Sequence, residues 1–304
     1  MRRHFLLLLS IFTPLLLISQ TRDILPGENL VVEGVPPIPA AIAESAQRYG
    51  DFRGANFLSW HPNRLEMLIS TRFADVPQVH WVKGPGGART QMTFFPDRVT
   101  GASFNRNNPD YFLFTKDIGG GEWYQIHRFD VKSGDITLLT DGKSRNRLGP
   151  WSNAGDRIVY GSTKRNGKDI DLYLMDPLKP QGERMLAQLE HGDAWAALDW
   201  SPDDKNILAL EEYSINESYL WLFDASSGQK TALTPKSGTT PVSYSLALFS
   251  KDGKGVYTTT DKENEFLRLA YIELATGKMT FLSSDLPWNV QSFTFPMTER
   301  ALRS

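Results

Sequence analysis

The sequence predicts an all-β fold assembled from repeated four-stranded antiparallel units, and three observations carry that prediction. An aromatic residue heading a polar turn recurs at Trp60, Phe104, Trp151, Trp200 and Phe249, at intervals of 44 to 49 residues. After the turns HPNRL, NRNNPDY, SNAGD, SPDDK and SKDGK come short runs of β-prone residues, EMLIS, YFLFT, RIVYGS, NILAL and GVYTTT. A second run follows in each unit (QVHWV, YQIHRFD, DLYLMD, YLWLFD, RLAYIEL), then a turn that is often glycine-marked, then a closing QMTF, LLTD, ALTP or FLSS. Four short strands at this period are the signature of a β-propeller blade. A blade cannot bury both of its faces alone, so neighbours must stack, and the five head aromatics are expected at equivalent buried positions between blades.

Taken in order, the chain opens with a basic MRRH and an apolar run, residues 5–18, that stops at Gln20. A run of fourteen positions interrupted by Pro14 is short for a bilayer-spanning helix. Residues 1–20 therefore read as a secretory signal peptide, cleaved near Ser19–Thr21, with an uncleaved membrane anchor as the alternative. An exported chain, periplasmic or secreted, is the expectation. Residues 21–54 read as a proline-containing linker with one short helix near Ala40–Tyr49. Five recognisable blades fill residues 55–288. Residues 289–304 read as the start of a sixth, truncated blade, which makes the ring incomplete. Residues 29–35 and 289–295 are candidates to pair into a minimal closing blade.

Composition removes several classes of function. Thirty-three basic against 35 acidic residues give a net charge of -2, without the basic excess a nucleic-acid partner selects. There is no cysteine, hence no disulfide, thiolate metal site or cysteine nucleophile. No Gly-x-Ser-x-Gly elbow occurs, the strand-to-helix turn that exposes a hydrolase serine. His80 and His127 share a repeat position with Tyr173, Trp221 and Ala270. A slot that accepts all of these is a packing position rather than the seat of a catalytic base. His61 falls in a turn and His191 in a loop, and no pair has the spacing of a helical zinc site. The acidic turns lack calcium-loop spacing and read as turn formers. Gly119–Gly120–Gly121 joins two strands and opens no helix, so it reads as a hairpin tip rather than a phosphate loop. No cofactor and no metal is expected.

The repeated WSPDD-K-IL phrase resembles the repeats of TolB and of propellers in the prolyl oligopeptidase family. The strings SWHPNRLEMLISTRF, QVHWVKGPGGARTQMTFF, DIGGGEWYQIHRFD, LLTDGKSRNRLGPWS and DKENEFLRLAYIELATGK look like the dipeptidyl aminopeptidase/acylaminoacyl peptidase branch of that family, from about Pro36 to Gln291. In that family a propeller of seven or eight blades precedes an α/β-hydrolase domain that carries the Ser–Asp–His triad, and the propeller filters access to it. The resemblance implies a non-catalytic propeller portion of an exported serine peptidase, with a peptide substrate or a hydrolase domain as its partner. A stand-alone periplasmic propeller that binds a protein, as TolB does, is the alternative. A cryptic enzyme using carboxylates at the propeller mouth is a third reading, for which no specific pair of residues stands out.

Strands that alternate direction put the second loop of each blade on the same face as the inter-blade connection. The second loops TRFADVPQ, KDIGGGEWY, TKRNGKDID, EEYSINESY and TDKENEFLR are the longer and richer ones, and loops on a rigid scaffold concentrate recognition residues. Candidate ligand or interdomain residues are Arg72, Asp117, Glu122, Arg145, Arg165, Glu211, Glu212, Asp261, Glu265 and Arg268. Glu211–Glu212 resembles the glutamate pair with which dipeptidyl peptidase-type propellers hold a substrate's amino terminus, though here it follows a strand directly. An unfinished ring would also offer a protein partner or a second copy an apolar edge.

Overall fold

The computed structural model describes residues 23–27, 30–190, 194–236, 240–283 and 287–295. The signal peptide expected at 1–20 lies outside them, as do His191 and residues 296–304. The chain divides into two compact units, split after Arg53. In the first, β1 (Asp23–Ile24) pairs antiparallel with β2 (Ile38–Pro39), and α1 spans Ala40–Gly50. Among the described residues no helix is long and apolar enough to cross a membrane.

The second unit consists of five four-stranded antiparallel sheets. The first holds β3 (Ala55–Trp60), β4 (Met67–Thr71), β5 (Gln78–Val82) and β6 (Arg89–Gln91). In the second are β7 (Val99–Phe104), β8 (Tyr111–Lys116), β9 (Gln125–Asp130) and β10 (Ile136–Leu138). The third is made of β11 (Asn146–Trp151), β12 (Ile158–Ser162), β13 (Asp171–Met175) and β14 (Arg184–Ala187). The fourth comprises β15 (Ala194–Trp200), β16 (Asn206–Ser214), β17 (Glu217–Asp224) and β18 (Lys230–Ala232). The fifth comprises β19 (Tyr244–Phe249), β20 (Gly255–Thr260), β21 (Arg268–Glu273) and β22 (Met279–Phe281). Every sheet is a meander in chain order, and the series packs one sheet on the next in the manner of propeller blades.

Local chemistry explains why the phrase recurs. In the turn after the head aromatic of the last three sheets, a serine hydroxyl accepts the backbone N–H five residues on: Arg157 to Ser152 (3.1 Å), Asn206 to Ser201 (2.9 Å) and Gly255 to Ser250 (3.0 Å). Each hydroxyl in turn donates to an aspartate, Asp156, Asp203 or Asp252. These carboxylates close turns, which satisfies backbone groups that strands leave open. The closing Thr or Ser has a second fixed task. Thr93, Thr140, Thr234 and Ser283 each accept the N–H of a third-strand residue (Val79, Ile126, Leu220 and Leu269) at 2.7–3.1 Å, where the outer strand peels away.

The first strand of every sheet carries a register shift, at Phe57/Ser59, Val99/Gly101, Leu148/Trp151, Ala197/Asp199 and Tyr244/Ala247. A bulge bends and twists a strand, and here it delivers the residue before the head aromatic to the next sheet. Ser59 Oγ accepts the Phe104 N–H (3.1 Å), Ser103 Oγ the Trp151 indole (3.0 Å), Pro150 O the Trp200 indole (3.2 Å) and Asp199 Oδ2 the Phe249 N–H (2.9 Å). Each aromatic so clasped is buried with residues of the preceding sheet: Phe104 with Leu68, Val79 and Trp81, Trp151 with Tyr111 and Leu113, Trp200 with Val159 and Leu172, Phe249 with Leu208 and Leu220.

Trp60 breaks the expected equivalence. It is 45% exposed, against 2% for Phe104 and Trp200. The reason is positional, because the head aromatic packs on the sheet before its own and Trp60 belongs to the first. At the other end, Phe295 stacks edge-on against Tyr257 (5.1 Å) and the Val290 N–H donates to Leu267 O (2.8 Å), so the chain from 287 to 295 lies along the fifth sheet. Neither that segment nor residues 30–35 joins a strand ladder. The Tyr271 ring lies over Gly255, in the space that a Cβ there would share with it.

Candidate functional site

The face that carries the second loops and the inter-blade connections is organised by one repeat position, the first residues of the third strand. Gln78 Nε2 donates to Phe95 O (3.0 Å) and Asp97 O (2.9 Å). Gln125 donates to Ser144 O (2.6 Å) and accepts from the Gly142 N–H and the Thr140 hydroxyl. Asp171 Oδ1 accepts the Leu189 N–H (2.7 Å). In the fourth sheet the task shifts one residue earlier, to Ser218, which donates to Tyr244 O (2.6 Å). Each of these side chains ties the outgoing connection to the third strand.

Several candidates are consumed by this scaffolding. Asp117 is buried, and its Oδ2 accepts the Glu122 N–H (2.8 Å), closing the glycine hairpin tip with Glu122 in a left-handed conformation (φ 61°). Asp261 Oδ1 accepts the Ser243 N–H (2.8 Å). Arg165 forks onto Asp171 (2.7 and 3.1 Å) and reaches Asp169 (2.9 Å), compensating a fully buried carboxylate. Arg268 lies 3.7 Å over the Phe281 ring and donates to Lys262 O. Arg72 is half-buried just past β4, and Glu265 is exposed on the last second loop.

Glu211 and Glu212 sit inside β16 rather than in a loop, because β16 and β17 run on as a hairpin closed by Ile215 and Asn216 alone. Side-chain direction alternates along a strand, so the two glutamates part. Glu211 is 3% exposed, while Glu212 reaches solvent and pairs with Arg147 of β11 at 3.3 Å. The paired-glutamate resemblance is therefore not matched by the geometry: the two carboxylates do not converge.

What the structure does bring together is a strip of charge across the second, third and fourth sheets. Glu122 pairs with Arg145 (3.4 Å), Arg147 with Glu212 (3.3 Å), and Arg98 donates to the Tyr124 hydroxyl (3.4 Å). Arg147 and Tyr124 also border a cleft of about 390 Å³ between β7 and β11, with Thr100, Ser103, Thr115 and Asn146 along its walls. Both ion pairs are solvent-exposed, and such pairs contribute only about 0–1 kcal/mol to stability. Their groups are available to another charged surface at little cost. Arg98, Tyr124 and Arg147 escape sequence reading. Arg147 lies on a strand, and its partner is 65 residues away, so no local spacing signals either.

Among the described residues, His80 and His127 are held by packing. His127 stacks on Phe114 (5.0 Å) and His80 packs beside Phe73 (5.3 Å), each with Nδ1 against a glutamine carbonyl. Burial holds both imidazoles below their usual range. Among the described residues no group of three His, Asp or Glu side chains is placed to hold a metal ion.

No protein-family model matches the chain, and no curated protein matches it. Solved structures do. A prolyl endopeptidase, from work on inter-domain dynamics in catalysis and specificity, superposes with a TM-score of 0.63 at 12% identity, over 82% of this chain and 41% of that one. This chain thus spans about two-fifths of that peptidase. The putative TolB of Agrobacterium tumefaciens gives 0.54 at 14% identity, over 75% of this chain and 80% of that one. The oligogalacturonate lyase of Vibrio parahaemolyticus gives 0.57 at 12% identity, over 75% and 66%. Identities this low establish a shared architecture and nothing finer, and that architecture is the β-propeller fold.

Proposed function

We propose that this chain is the non-catalytic propeller portion of an exported serine peptidase of the prolyl oligopeptidase family, in its dipeptidyl aminopeptidase/acylaminoacyl peptidase branch. The strip Arg98, Glu122, Arg145, Arg147 and Glu212 is the face it turns toward a hydrolase domain or an incoming peptide. The observation that carries the reading is the superposition on a prolyl endopeptidase over 82% of the chain. It is joined by a sequence without a nucleophile elbow and by His80 and His127, both committed to packing. A propeller with rigidly tethered connections and weakly paired surface charges is suited to docking and filtering rather than to chemistry.

A second reading, a stand-alone TolB-like propeller that binds a protein in the periplasm, is favoured by one observation: the match spans 80% of the Agrobacterium TolB. The absence of native cysteine permits a test of both. Single cysteines replacing Arg145, on the strip, and Asn107, in a first turn on the opposite face, are labelled with a photo-crosslinker in the source cell envelope. Capture of an α/β-hydrolase through position 145 alone is the expected result. Capture of a non-hydrolytic envelope protein there selects the second reading, and capture through position 107 overturns the choice of face.

A further inference from the structure

We propose that a cleft between the third and fourth sheets, among the first and third turns and so opposite the charge strip, binds a small organic monocarboxylate. The cleft has a volume of about 400 Å³. That is within the range of small-molecule sites, which combine an apolar lining with a few placed polar groups. Strand register explains how two arginines come to share it. Side chains alternate along a strand, so Arg157, just ahead of β12, projects with Val159, and Leu174 projects with Leu172. Val159, Leu172 and Leu174 all pack with Trp200 of the fourth sheet. Arg184 stands opposite Leu174 in the ladder of β13 and β14 and therefore shares that side.

Both guanidiniums keep donors to spare. Arg157 lies over the Trp200 ring at 5.1 Å, and its Nε donates to Asp156 of its own turn at 3.2 Å. Arg184 Nη2 donates to Ala225 O across the gap between the sheets, and among the described residues no carboxylate pairs with it. Each arginine thus spends one of its five N–H donors on these contacts. An arginine fork holds a carboxylate through two parallel hydrogen bonds, which makes Arg184 the seat of the head group. Leu174 and Ala225 are buried and line the cleft, an apolar floor for the body of the ligand. Asp176 is the one acid among the described residues lining the cleft, and its Oδ1 accepts the Leu178 N–H at 2.8 Å. Two guanidiniums against one carboxylate leave a single positive charge, which suits a monoanion with an apolar body rather than a phosphate dianion.

Hexanoate is the probe, titrated into the purified, isotope-labelled chain and followed through backbone amide NMR shifts. Saturable shifts centred on Leu174, Arg184, Ala225 and Ser226 are expected. Hexanamide, which lacks the charge, and inorganic phosphate, which lacks the apolar body, should each bind more weakly than hexanoate. Arg184→Gln should weaken hexanoate by about tenfold, the loss of a charge-assisted hydrogen bond. A role for Arg184 confined to clasping Ala225 would instead lower stability and leave hexanoate affinity unchanged. Ser226→Glu, at an exposed position lining the cleft, brings a like charge to the ligand without altering either arginine. It should also weaken binding, and it carries the test should circular dichroism show that Arg184→Gln has lost the fold. The proposal is overturned by hexanoate that fails to saturate or shifts amides elsewhere, by hexanamide or phosphate binding as tightly as hexanoate, or by unchanged affinity in either folded variant.

Discussion

Replacing Trp200 and Trp60 by alanine in separate variants asks whether the head aromatics are the keystones between sheets. Trp200 is 2% exposed, packs against Val159 and Leu172 of the preceding sheet, and donates its indole N–H to Pro150 O at 3.2 Å. A buried tryptophan removes roughly 200 Å² from water, which at about 25 cal/mol per Å² is worth about 5 kcal/mol. Measured Trp→Ala losses of about 3–5 kcal/mol bracket that figure. Trp200→Ala should therefore cost about 4 kcal/mol, with the orphaned Pro150 carbonyl adding to it. Trp60, 45% exposed, keeps only about half of that area out of water, so about half of the Trp200 loss, about 2 kcal/mol, is expected. For a chain of this size each kcal/mol moves Tm by about 2–4 °C, so the expected shifts are about 8–16 °C for Trp200→Ala and at most about half that for Trp60→Ala. Thermal unfolding followed by circular dichroism, at concentrations where the chain is monomeric, reads both. Equal shifts would falsify the inter-sheet role, because they would mean that Trp60 is as fully covered as Trp200.

Three further outcomes follow from single contacts. Burial holds the Asp199 carboxyl above its usual range despite the Phe249 N–H. The folded state therefore binds a proton more tightly than the unfolded state, and stability falls as pH rises from the ordinary carboxylate value through the raised one. Asp199→Asn keeps an acceptor for Phe249, so denaturant titration should find it more stable than wild type at neutral pH and flat across that window. His80 and His127 are held low by burial, so stability present above pH 6.5 is lost as pH falls below it. His127→Phe should shrink that acid loss in the same titration. Arg165→Ala strips compensation from the fully buried Asp171 and should lower the midpoint of chemical unfolding; the double variant Arg165→Ala with Asp171→Asn should recover much of the loss.

The fold was legible because a blade is a local object: its four strands are consecutive and its turns announce themselves through Ser, Asp and Gly. The closing threonines were visible as a repeated letter, but their task of capping a third-strand N–H emerges only once the outer strand is seen to diverge. The candidate site was legible only in part, since it is made by contacts between repeats. Glu212 was singled out as half of a pair with Glu211, yet strand alternation buries one and turns the other toward Arg147. Arg165 is a candidate ligand or interdomain residue by sequence, and in the structure its guanidinium is spent on Asp171. Trp60 looked like its four equivalents, and repeat position alone gives no sign of which neighbour a residue has.

The most direct test of a non-catalytic propeller is the purified chain offered peptidyl and acyl-aminoacyl reporter substrates, with a serine-directed phosphonate as a covalent probe. The expected result is no turnover above buffer and no phosphonate adduct in the intact mass. Turnover that persists through purification, and stops when the phosphonate attaches to a serine of this chain, would contradict the reading outright.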